Sequence, residues 1–105
     1  MIKSEYVYIL YEGNDIFKIG RTSKIHDRLN SYKTHNSQIE GYLAVFEVSD
    51  SKMAEKHLHR VYEDYRVKNE FFELPIAQLK ELENRIIGLK KSYISKQYMD
   101  FVNLI

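Results

Sequence analysis

The stretch from Tyr6 to Ile19 constrains this chain most. Tyr6-Val7-Tyr8-Ile9-Leu10-Tyr11 is dense in aromatic and β-branched residues, which suit a pleated, half-buried surface. Glu12-Gly13-Asn14-Asp15 follows, and Gly13 and Asn14 accept positive φ at little cost. Ile16-Phe17-Lys18-Ile19 then reads as a second strand, so residues 6–19 are predicted to form a hairpin that Gly20 ends. A hairpin needs a third strand or a helix to cover its apolar face, and the rest of the chain supplies both.

Thr22 or Ser23 can cap a helix on which Ile25, Leu29 and Tyr32 recur at helical spacing, predicted from Ser23 to Lys33. Tyr42 to Val48 is almost wholly apolar and reads as a central strand. Ser49-Asp50-Ser51 is an N-cap cluster for a helix with Ala54, Leu58, Val61 and Tyr65 on its buried face. Phe71 to Leu74 is a short extended piece stopped by Pro75. Leu79, Leu82, Ile86 and Leu89 continue a helical period, with a break expected between Gly88 and Ser92. The apolar tail from Tyr93 to Ile105 reads as a final helix, on the core or on a partner. The order ββαβα plus C-terminal helices predicts an α+β fold, a small three-stranded antiparallel sheet flanked by helices.

Composition bounds the function. At 105 residues the chain has room for one small domain. It has no cysteine, which excludes disulfides, thiol chemistry and Cys-based zinc sites. Sixteen Lys+Arg against fifteen Asp+Glu exclude a strongly basic nucleic-acid-coating protein. No apolar run is long enough to span a bilayer, and Met1 to Glu5 does not read as a signal peptide, so a soluble, cytoplasmic protein without membrane contact is expected.

Several side chains stand out against that background. Tyr6 and Tyr8 fall on one face of the first strand, and Lys18 faces away from Phe17 and Ile19. Lys18 is either an edge-strand lysine or a site residue. Between residues 18 and 33, Lys18, Arg21, Lys24, Arg28 and Lys33 stand against Asp27 alone. This basic window suits a phosphate, or is a solvated helix face. Glu55 and His59 are one turn apart on one helix face, with His57 pointing elsewhere, toward solvent. They form either a surface pair or the start of a divalent-metal site, to which Glu70 could add a second carboxylate.

Taken in order, Tyr6-Val7-Tyr8-Ile9-Leu10, Lys18-Ile19-Gly20-Arg21-Thr22, Arg28-Leu29, Ala54-Glu55-Lys56 with Leu58-His59, and Glu70-Phe71-Phe72 resemble the GIY-YIG endonuclease superfamily. The nearest branch is the compact phage and viral one with KIG in place of YIG. The resemblance covers about residues 5–75 and divides the chain into a nuclease-like domain at 1–75 and a helical extension at 76–105. It implies phosphodiester hydrolysis in DNA, branched or single-stranded forms included, with one Mg²⁺ or Mn²⁺. By the same resemblance Tyr8 assists deprotonation of the attacking water, Lys18 and Arg28 hold the phosphate, and Glu55 holds the metal. Tyr6, Arg21, Lys24 and His59 would then contact nucleic acid. Three positions depart from the family pattern: Tyr6 replaces the first glycine, Lys18 replaces a tyrosine, and Tyr32 stands where a histidine is common.

Two other readings stay open. One is a binding module of the same fold with a degenerate site, for nucleic acid or protein. The other is an interaction subunit whose tail, Tyr98 to Ile105, forms a homodimer or partner face. Extra DNA contacts would come from Lys80, Arg85, Lys90, Lys91 and Lys96.

Overall fold

The computed structural model describes residues 4–25 and 41–103. Six strands form one antiparallel sheet: β1 (Glu5–Gly13), β2 (Ile16–Thr22), β3 (Ala44–Val48), β4 (Arg66–Lys68), β5 (Phe71–Glu73) and β6 (Leu89–Ile94), in the order β4-β5-β2-β1-β3-β6. Three α-helices accompany them among the described residues: α1 (Ser51–Val61), α2 (Ile76–Glu81) and α3 (Lys96–Val102). The class is α+β as expected, but the sheet has six strands where three were predicted.

The hairpin forms as its sequence predicts. Gly13, Asn14 and Asp15 all take positive φ, at 89°, 53° and 63°. Gly20 does not end it. Pairing continues to Tyr6↔Thr22, and Gly20 lies inside β2 opposite Tyr8. Of the helix expected from Ser23, residues 23–25 are non-helical, and the remainder, with Arg28, lies outside the described residues.

The largest correction is β6. Leu82, Ile86 and Leu89 keep a helical period, yet Gly88 takes φ +71° and its carbonyl accepts from the Ser49 N–H at 2.9 Å. A side chain at Gly88 would collide with the Ser49 hydroxyl. The chain therefore turns there into a strand along β3. Ala44, Val45, Phe46 and Val48 are all buried. A strand apolar on both faces belongs in a sheet interior, and β6 covers the edge it would otherwise expose. Residues 76–105 are thus not wholly helical: they contribute a strand to the sheet that holds β1.

The main core lies on one sheet face, where Val7, Ile9, Phe17, Ile19 and Phe46 meet Leu58, Leu79 and Leu82. On α1 the buried positions are Ser51, Ala54 and Leu58, followed by Tyr62 at 0% exposure; Val61, expected inside, is 37% exposed. The helix ends at Val61, and its cap residue Tyr62 turns inward to donate to the Gln78 carbonyl at 3.1 Å. Tyr98 on α3 donates to the Leu79 carbonyl at 2.9 Å, so two phenols satisfy carbonyls of the short α2. Phe101 packs against Tyr11 and Phe17, at ring separations of 5.0 and 6.1 Å. Tyr98 of α3 is buried in the main core and Phe101 and Val102 are partly buried against it, while Met99 is exposed. Among the described residues no helix is long and apolar enough to cross a membrane.

Candidate functional site

The β1–β2 register builds the first half of the site. Tyr8 pairs with Gly20 and Leu10 with Lys18, so Tyr8 and Lys18 are diagonal neighbours on the face opposite the main core. The Tyr8 ring lies over Gly20. A Cβ there would come within 2.5 Å of the phenol's Cζ and Oη. Glycine inside a strand commonly marks such a close approach. Tyr42 braces the ring edge-on, with centroids 5.3 Å apart. The Lys18 ammonium stands 5.8 Å from the Tyr8 ring centroid, 6.0 Å from that of Phe71, and 4.0 Å from the Glu70 carboxylate.

This seat yields a prediction. Gly20→Ala should displace the phenol by about an ångström, a misplacement that would cost about 10- to 100-fold in any reaction the phenol serves. Overpacking should destabilise the fold by about 1–3 kcal/mol. Steady-state kinetics and urea denaturation of the same preparation check both effects.

The second half comes from α1. Asp50 caps the helix by accepting from the Met53 N–H at 3.1 Å. The Glu5 carboxylate accepts from the Ser51 N–H and hydroxyl, at 3.1 and 2.7 Å, tying the helix start to β1. The His59 Nε2 lies 2.9 Å from the Ile19 carbonyl, which can only accept, so Nε2 carries the proton. The imidazole also packs on Phe72, at 5.1 Å. These contacts hold α1 over β2 and place Glu55, one turn earlier, half-buried. Burial is the main cause pushing the Glu55 carboxyl above the ordinary carboxylate range; His59 opposes it, Glu70 reinforces it and Arg21 opposes it.

Glu70 joins the two halves. Its carboxylate is ion-paired with Lys18 and acts on Glu55, and its backbone carbonyl accepts from the Ile19 N–H at 3.0 Å. Glu55 and Arg21 line a depression of about 510 Å³ together with His59. Tyr8 lines a neighbouring one, and Arg21 borders both. A small hard dication keeps most of its waters and needs one or two carboxylates plus a substrate phosphate. Glu55 and Glu63 are the carboxylates that line the first depression, and Glu70 is not part of its lining. No full cage of three His, Asp or Glu side chains converges among the described residues.

The other predicted residues have varied positions. Tyr6 is 3% exposed and packs with Ile25, Val45 and Tyr93, so its ring supports the sheet from within instead of offering a surface to DNA. Lys24 is exposed, its N–H donating to the Thr22 hydroxyl at 3.0 Å. His57, expected in solvent, is half-buried. Arg28 lies outside the described residues. Sequence reasoning did not single out Tyr42, or Gly20 as the seat of Tyr8. A glycine at the predicted end of a strand was the available signal for the latter.

Comparison with known proteins identifies a domain family. Residues 5–87 match the T5orf172 domain. A stretch of 71 residues is 27% identical to protein 315L of Invertebrate iridescent virus 6, whose name refers to a KilA-N domain. That stretch is 65% of this chain and spans only 31% of the viral protein. No solved structure gives a significant match. Since the matched residues run from β1 through α2 and include the hairpin, α1 and Glu70, the chain belongs to the T5orf172 domain family.

Proposed function

We propose that this domain is a metal-dependent endonuclease acting on DNA. The observation that carries the reading is the grouping of Tyr8, Lys18 and Glu70, with the Lys18 ammonium 5.8 Å from the Tyr8 ring centroid and 4.0 Å from the Glu70 carboxylate. Tyr8 and Lys18 lie on the sheet face opposite the main core, whereas Glu55 is carried by α1 on the core face, so one reaction would have to span the β2 edge beside Glu70. The GIY-YIG resemblance of the motif residues supports the same reading.

In this mechanism Lys18 holds the scissile phosphate, its charge opposing the negative charge that develops on the phosphate oxygens, and Arg21 stands at the Glu55 depression. Arg28 adds to Lys18 by resemblance. The Tyr8 hydroxyl, fixed over Gly20, relays a proton from the attacking water, releasing its own proton to solvent as it accepts the water's. His59 positions Glu55 through its bond to the Ile19 carbonyl. Mg²⁺ or Mn²⁺ held at Glu55 would supply positive charge against the leaving oxygen.

A second reading, a binding module without catalysis, is favoured by one observation: Tyr8 and Glu55 line separate depressions. Plasmid, branched and single-stranded DNA incubated with Mg²⁺, Mn²⁺ or EDTA separates the two. The nuclease reading predicts nicking or cleavage of at least one substrate that EDTA stops. Binding with no cleavage in either metal would overturn it in favour of the module.

A further inference from the structure

The exposed face of α1 carries Lys52, Lys56 and Arg60 at i, i+4 and i+8. At 1.5 Å rise per residue they form a ridge slightly inclined to the helix axis, with about 6 Å between steps and about 12 Å overall along the axis. All three line the depression that holds Glu55, and the exposed Arg21 lines it too. None of these four cations has a carboxylate within 4.0 Å among the described residues, whose ion pairs are Lys18–Glu70, Arg66–Glu63 and Lys96–Asp100.

The ridge is poorly explained as a device for helix stability. Like charges at i, i+4 repel by a few tenths of a kcal/mol per pair. Lys52 stands in the first turn, which has no acidic residue, although the helix dipole favours anions there. Asp50 and Glu5 meet the dipole at the helix start and Arg60 meets it in the last turn, so it is the like-charge spacing on the rim of a candidate site that points to a ligand of opposite charge. The chain as a whole carries only +1, so this is a local concentration of positive charge, not a general excess.

The geometry points to Lys52, Lys56 and Arg60, with Arg21 beside them, as the track that binds the DNA sugar–phosphate backbone where it enters the Glu55 site. The inference rests on the DNA-directed reading above and adds to it which surface holds the strand. It sets this ridge against the C-terminal cations as the source of affinity. Arg85 donates to Gln78 at 2.7 Å and stacks on Tyr62, and Lys96 pairs with Asp100. Lys90 and Lys91 belong to the edge strand β6, and Lys80 to α2.

The test is salt-dependent binding of the full chain to a short fluorescent DNA, by anisotropy, from about 50 to 200 mM salt. It compares wild type, the triple variant Lys52→Gln/Lys56→Gln/Arg60→Gln, and the charge-matched triple variant Lys80→Gln/Lys90→Gln/Lys91→Gln. Each phosphate contact contributes about 0.9 to the slope of log affinity against log salt. The ridge variant should therefore lose about 2–3 in slope and at least about tenfold in affinity at low salt, with its thermal midpoint unchanged or raised. The other variant should follow wild type closely. Equal losses in both variants would reduce the effect to net charge and overturn the ridge. A ridge variant with the wild-type slope would overturn it while leaving the DNA reading intact. Wild type without salt-dependent binding would overturn both.

Discussion

Replacing Glu55 by glutamine should lower metal-dependent cleavage by about 10²–10³-fold or more, equivalent to about 3–4 kcal/mol of transition-state stabilisation, without destabilising the protein at neutral pH. The substitution keeps the shape, removes the charge and exchanges one acceptor oxygen for an amide N–H donor. Burial, with Glu70 nearby, raises the folded-state pKa of this carboxyl above its ordinary value of 4.5. The folded protein then holds more protons than the unfolded chain as pH rises through that window. Stability accordingly falls as pH rises from about 4.5 through the folded value, and at neutral pH the charge is a net cost to folding. Glutamine relieves that cost, so Glu55→Gln should match or exceed wild type in urea midpoint at pH 7, and the difference should fade below about pH 4.5. A bound divalent cation should offset the same cost, raising the wild-type midpoint with concentration and leaving the variant's unmoved. A variant less stable than wild type at every pH would make Glu55 a structural residue.

Tyr8→Phe is the second large effect. It should lower cleavage by about 10²–10⁴-fold, the range typical of a lost proton-transfer group. Phenylalanine retains the ring over Gly20 and the edge contact with Tyr42, so unfolding should change by less than about 1 kcal/mol. Single-turnover rates and denaturation curves on one preparation give both numbers. The contrast with Gly20→Ala is informative: that change keeps the hydroxyl and moves it, whereas Tyr8→Phe keeps the position and removes the hydroxyl. Comparable activity losses from the two would show that the oxygen matters at that place. An active Tyr8→Phe variant would return the ring to a packing role beside Tyr42.

What could be read from the sequence was local. The hairpin follows from two apolar runs around Gly13 and Asn14, and the start of α1 follows from Asp50, the observed cap. Glu55 and His59 share a helix side because four residues make about one turn. The features missed are those set by tertiary partners. Gly88 and Ser49 turn residues 89–94 into a strand that covers β3, against a helical period that runs up to Leu89. Tyr62 replaces Val61 in the core because the helix ends between them. The β4 strand is three residues long and held by Arg66, which pairs with Glu63 and donates to the Asn69 carbonyl, a pattern without an apolar alternation to detect. In the site, Glu70 could be named as an acid, but its link to Lys18 and Glu55 depends on β5 lying beside β2.

The central claim is that Tyr8 and Glu55, on opposite sides of β2, serve one reaction. The most direct test is a double-mutant cycle on cleavage rate in Mg²⁺ with wild type, Tyr8→Phe, Glu55→Gln and the double variant. Residues that act as a unit are strongly non-additive. The double variant should therefore be no slower than the slower single variant, within about threefold. Losses that multiply would mean two independent contributions, and would contradict a shared centre joined through Glu70.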